Sequence, residues 1–135
     1  MAGVVGGLVD VWWARPAHPV GWRWIGPVVV GLGLGLMQWA VARFRRHRTA
    51  VMPWKPTRII VEDGPFRLSR NPIYLGFAIT LVGVGLWMDA LAIVLAAVPA
   101  LGITDRMIVR REEAYLTAKF GTEYTAYTRR VRRWL

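Results

Sequence analysis

Two groups of residues have types and spacing that could do chemistry. The first is Arg67-Leu68-Ser69-Arg70-Asn71-Pro72-Ile73-Tyr74-Leu75-Gly76, directly after Gly64-Pro65-Phe66. The second is Glu112-Glu113, with Tyr124 and Tyr127 farther along. Asn71 suits a helix N-cap, because its side-chain oxygen can accept a bond from a backbone N–H of the first turn. Pro72 suits the first helical position, where a missing N–H costs nothing. Arg67 and Arg70 would then stand at the N–H-rich end of an apolar helix, a place that favours an anionic group of a ligand. They serve equally well as markers of the cytosolic edge of a membrane helix. On the other side, Val109, Glu113, Leu116 and Phe120 recur at helical spacing and share one face, with Glu112 on the flank. A carboxylate so placed at the mouth of a helix bundle can take a cationic ligand. Spacing alone favours the plainer role, a solvated pair bridged to Arg110 and Arg111.

The elements that must position these residues follow from composition. The chain has 135 residues, room for one domain, with 55% hydrophobic residues, a formal net charge of +10 and eight tryptophans. Few soluble domains combine such hydrophobicity with such charge, and Trp concentrates where lipid meets water. With no cysteine and only His18 and His47, disulfides, thiolate chemistry and a metal centre are not expected. Nucleic acid is not the expected partner, because the basic residues are blocked beside apolar spans.

Residues 1–14 are apolar but short and interrupted by Asp10, which reads as a reduced or interfacial first helix. Arg15 to Gly21 form a loop. Residues 24–43 make a first span of bilayer length, with Gly31, Gly33 and Gly35 allowing close approach of another helix. Residues 43–70 hold eight Lys/Arg and, with Pro53 and Pro56, form a surface loop. Arg58 to Pro65 includes a short extended piece ending in a turn. The apolar run that follows is too long for one crossing and divides at Trp87-Met88-Asp89 into spans over 72–88 and 90–109, the second carrying Pro99. Residues 106–135 hold eight more Lys/Arg. An even number of crossings between the two basic blocks puts sixteen of the eighteen basic residues on the cytosolic face. Gly121 caps the helix that leaves the membrane, and Thr122 to Trp134 is a second segment.

The two motifs together resemble the isoprenylcysteine carboxyl methyltransferase family, integral membrane enzymes related to phospholipid N-methyltransferases. The resemblance lies in Arg70-Asn71-Pro72-Ile73-Tyr74-Leu75-Gly76 and in Glu112-Glu113, Leu116, Phe120-Gly121, Tyr124 and Tyr127. Thr49 and Pro53 resemble the preceding loop, and the likeness covers roughly residues 25–135. It implies an all-α transmembrane bundle of three full spans plus a short N-terminal helix. Residues 110–135 would form a cytosolic tail that closes an S-adenosylmethionine pocket. Arg70, Asn71, Pro72, Tyr74 and Gly76 would line that pocket from one side, and Glu112 or Glu113 with Tyr124 and Tyr127 from the other. Arg70 and Glu113 are the expected catalytic residues, Arg70 for the cofactor's carboxylate and a glutamate for its ammonium. The acceptor would be lipophilic and drawn from the bilayer. Eukaryotic members carry His where Asn71 stands, so Asn71 can bond but not titrate. The expected location is a bacterial inner membrane, with loop 43–70 and the C-terminus cytoplasmic. Two other readings are an NADPH-dependent membrane reductase and a non-catalytic protein that holds anionic lipid on its basic faces.

Overall fold

The computed structural model describes residues 22–49 and 55–135. The expected short helix over 1–14, the loop after it and Pro53 lie outside the described residues. Within them the regular structure is entirely helical. Helix α1 runs Trp22–Arg46, α2 Pro72–Trp87 and α3 Leu91–Thr104. A π-helical turn, Asp105–Val109, joins α3 to α4, Arg110–Phe120, and α5, Thr122–Arg130, follows.

The break between α2 and α3 falls where the apolar run was expected to divide. Met88 ends α2, and Asp89 turns the chain with φ of +56°. Pro99 lies inside α3 without ending it, and the helical run continues from Leu91 to Phe120. Two helices, Trp24–Arg46 and Leu91–Phe120, are long and apolar enough to cross a membrane. The sixteen residues of α2 rise about 24 Å. That is less than the ~30 Å of a hydrocarbon core, so length alone does not make α2 the third full span. The apolar helices are poorly covered: Trp24 is 76% exposed and Val98 74% exposed. Bare faces of this kind suit a lipid solvent.

Small residues set how closely α1 and α2 approach. A Cβ at Gly83 would stand 2.6 Å from the Val30 nitrogen, and one at Gly76 would stand 2.6 Å from Met37 Cγ and 2.7 Å from the Gly33 carbonyl oxygen. Gly26 packs in the same way against the backbone of Trp87. Of the three α1 glycines expected at a helix contact, only Gly33 makes one, against Thr80 and Gly76. Gly31 and Gly35 face open space.

No strand forms between Arg58 and Pro65; the piece is irregular and ends in a 3-10 turn, Gly64–Arg67. Its Phe66 is buried with Ala40 and Val61 and meets Phe44 edge-on, ring centres 5.0 Å apart. A second cluster joins Tyr124, Tyr127 and Val131 with Ile60, Leu116 and Phe120. The loop is thus held between the end of α1 and the C-terminal helix, which brings the two motifs together.

Candidate active site

The polypeptide reaches Arg70 through a tightly bonded bend. Gly64 supplies φ of +61°, a left-handed conformation that glycine adopts without steric cost. Pro65 begins the 3-10 turn, and Ser69 is buried. Ser69 Oγ accepts from the Asn71 backbone N–H at 3.1 Å and donates to the Arg133 carbonyl at 3.2 Å. The Asn71 side chain does not cap α2 as expected. Its Nδ2 donates to the same Arg133 carbonyl at 3.1 Å. Pro72 does occupy the start of α2.

The other half arrives from the C-terminus. Gly121, with φ of +54°, separates α4 from α5. After α5 the chain extends at Val131, and the Arg132 carbonyl accepts from the Arg70 N–H at 3.0 Å. Tyr127 Oη donates to the Phe66 carbonyl at 2.8 Å, and Arg130 pairs with Glu62 at 2.7 Å. Lys119 also donates to the Thr57 carbonyl. The tail is therefore fastened to loop 55–71 along its length, mostly through backbone carbonyls.

An ion cluster lies where the two halves meet. Arg70 Nη1 is 2.7 Å from Glu113 Oε1. Arg133 takes the same carboxylate from the other side, Nη2 to Oε2 at 2.6 Å and Nε to Oε1 at 3.1 Å. Arg133 also reaches Asp105 Oδ1 at 3.2 Å, and Arg110 Nε holds Asp105 Oδ2 at 3.0 Å. Two guanidiniums on one carboxylate make charge-assisted bonds with little freedom of geometry.

Beside this cluster is a cavity of about 60 Å³, lined by Arg70, Asn71, Glu112, Glu113, Tyr124 and Tyr127 together with apolar residues of loop 55–71 and α4. Six of the expected site residues thus share one space. Pro72, Tyr74 and Gly76 do not line it. Tyr74 stands next to Glu112. Gly76 is spent on the α1–α2 contact, because the place its side chain would take is filled by Met37. Two polar atoms in this region are buried without a hydrogen-bond partner among the described residues: Arg70 Nε, a donor, and Glu112 Oε2, an acceptor.

Burial raises the pKa of the Tyr124 phenol, and the charge of Glu113 adds to it against the opposing pull of Arg70. Burial likewise pushes Tyr127 well above the usual phenol range, helped by Tyr124 and Glu62. Both remain neutral near neutral pH, so they can offer hydroxyls and aromatic faces but are not bases. Arg133 was not singled out from its neighbours in the sequence, where Arg129, Arg130, Arg132 and Arg133 form one basic block. Its role depends on the extended chain after α5, a long-range feature with no local signal.

Helices with bare apolar faces and a charged cavity at one end define a class of helical membrane protein. Residues 22–123 match the phospholipid methyltransferase family, and the chain belongs to it, within the group of membrane methyltransferases related to the isoprenylcysteine carboxyl methyltransferases. It is similar to the cobalt-zinc-cadmium resistance protein CzcN of Cupriavidus metallidurans, 26% identical over 109 residues. That match takes in 80% of this chain and 49% of the relative, so the chain spans about half of that protein's length. An uncharacterized protein of Haemophilus influenzae is 35% identical over 63 residues, all of its length and 47% of this chain. No solved structure matches the chain.

Proposed function

We propose that the chain is an integral membrane methyltransferase that uses S-adenosylmethionine and acts on a lipophilic acceptor. The observation that carries this reading is a pair of buried atoms at one cavity, Arg70 Nε and Glu112 Oε2, that have no hydrogen-bond partner among the described residues. A buried donor or acceptor left unmade costs about 1–3 kcal/mol. One of each beside a shared space suits a zwitterion such as the amino-acid end of the cofactor. Arg70 and Asn71 would hold its carboxylate, Glu112 its ammonium, and the faces of Tyr124 and Tyr127 its sulfonium. When bound, this cofactor supplies a methyl group on a positively charged sulfur.

The chain's own residues then position and exclude water. Glu113 holds Arg70 in place, so we assign it to positioning. Pro72 fixes the start of α2, and Gly76 allows α1 close enough to support it. Where an acceptor must lose a proton, Glu112 is the available base, since both tyrosines hold theirs. A cavity of about 60 Å³ is far below the ~300–1,000 Å³ of ligand pockets, so loading requires the tail to lift from the bundle. We place α1, α2 and α3 across a bacterial inner membrane, with loop 43–70 and the C-terminus in the cytoplasm. The cofactor would come from the cytosol and the acceptor from the bilayer.

Ultraviolet cross-linking of S-adenosylmethionine to the purified protein, followed by tryptic mapping, tests the pocket. Label is expected on the peptide from Phe120 to Arg129, which carries both tyrosines. Label confined to α1, or its absence from a folded protein, would overturn the assignment.

A further inference from the structure

Outside the cavity, between α3 and the end of the chain, runs an open groove of about 870 Å³. Its wall is apolar, formed by Val98, Leu101, Gly102 and Ile103, and its far end carries Arg106, Arg110, Arg133 and Trp134. We propose that this groove binds one anionic phospholipid, with acyl chains along the wall and phosphate at the arginines. The proposal goes beyond methyl transfer and does not require it.

Three observations support this occupant. The first is division by polarity: Val98 is 74% exposed and Ile103 59% exposed, while the charged residues begin only at Asp105. A phospholipid has the same division, and Trp134 at the charged end suits the interface between tails and headgroups. The second is charge. Arg110 and Arg133 share the carboxylate of Asp105, and Arg133 also holds Glu113. Arg106 has no ion pair or hydrogen bond from its side chain among the described residues, so the groove's three guanidiniums exceed the carboxylates that meet them. Guanidiniums in excess of carboxylate recognise phosphate, and each basic residue near an anionic membrane surface adds about 1 kcal/mol of attraction. The third is space. A Cβ at Gly102 would meet nothing within 4 Å, so the wall has an open stretch opposite the helix backbone. A second copy of this chain is a poor competitor, since each copy carries a net charge of +10.

The site also reaches the cavity, because Arg133 joins the groove to Glu113. A phosphate in the groove competes with Glu113 for that guanidinium, so lipid occupancy and tail closure are coupled.

Native mass spectrometry of the full chain in detergent tests the site, with phosphatidylglycerol and phosphatidylcholine of identical acyl chains as probes. The wild type is expected to retain one phosphatidylglycerol, at least tenfold over phosphatidylcholine. Arg106→Gln with Arg110→Gln should lower that retention about tenfold. Arg45→Gln with Arg46→Gln removes the same charge from the exposed end of α1 and should not. Gly102→Leu fills the wall without touching a charge and should also lower retention. Should the first pair fail to fold, Arg106→Gln alone, with no partner to lose, gives the same reading. Equal retention of the two lipids, or equal loss in both double variants, would overturn the proposal.

Discussion

Arg133 grips both oxygens of Glu113, with Nη2 2.6 Å from Oε2 and Nε 3.1 Å from Oε1. Arg70 holds the same carboxylate from the loop, at 2.7 Å. One side chain of α4 is thus the point at which the tail and the loop are tied together. The cavity lies beside this tie, so whatever loosens the tail opens the site.

Arg133→Ala should release the tail. Glu113 keeps Arg70 but loses both of its contacts to Arg133, and Asp105 loses one, a cost of about 1–3 kcal/mol. Limited trypsin digestion is expected to cut sooner at Arg129 and Arg130, with a lower melting temperature in detergent. Arg133→Lys keeps the charge but not the fork and should fall between. Unchanged digestion and melting in Arg133→Ala would show that the pair does not hold the tail.

Tyr127→Phe removes the bond to the Phe66 carbonyl, 2.8 Å long and buried. The ring still packs with Tyr124 and Val131, so the loss is the unmet acceptor, about 1–3 kcal/mol. Thermal unfolding of the two proteins in the same detergent measures it. A neutral effect would mean that water reaches the Phe66 carbonyl.

Glycines on α1 should divide by face. Gly33→Ala places a methyl against Thr80 and the α2 backbone, and such overpacking costs about 1–3 kcal/mol. Gly31→Ala and Gly35→Ala meet nothing and should be neutral or gain up to ~1 kcal/mol of helix propensity. Scanning fluorimetry of the three variants separates the cases, and equal effects at all three would contradict the packing.

Acid should unfasten the loop at Asp63. Burial pushes its carboxyl up, but the hydrogen bond to His47, the charge of His47 and that of Arg43 outweigh it and hold the pKa below the usual range. The stabilisation is therefore present above the unfolded value of about 3.9 and is lost as pH falls through the lower folded value. The carboxylate is 38% exposed, so the effect is small. Asp63→Asn should melt below wild type near about pH 6, and the gap should narrow as pH falls below the unfolded value of about 3.9. A gap that widens in acid would reverse the sign of this argument.

Features carried by local chemistry were legible before the structure. Pro72 at a helix start, the turn at Met88-Asp89 and the break at Gly121 each follow from one or two residues. The resemblance and the helical face set Arg70 and Glu113 on opposite sides of one pocket, whereas in the structure they pair directly with each other. What escaped was set by partners far along the chain. Asn71 has a side chain fit for capping, yet Arg133, 62 positions away, claims it as a donor. Gly76 belongs to a site motif, yet its missing side chain serves Met37. Gly31, Gly33 and Gly35 look alike in sequence, and only the crossing of α2 tells them apart. Arg133 is one of several arginines in its block until the extended tail gives it two carboxylates.

Glu112→Gln tests the central claim most directly, because function and stability should move in opposite directions. Among the described residues its Oε2 is buried with no hydrogen-bond partner, and beyond the Tyr74 hydroxyl beside the carboxylate nothing there offsets the charge unless a ligand cation meets it. Calorimetry of S-adenosylmethionine binding to detergent-purified wild type should show saturable binding, and Glu112→Gln should bind at least tenfold more weakly. The variant should melt no lower than wild type. Binding of equal strength in the variant, or none by a folded wild type, would contradict the account; NADPH would then be the next ligand to titrate.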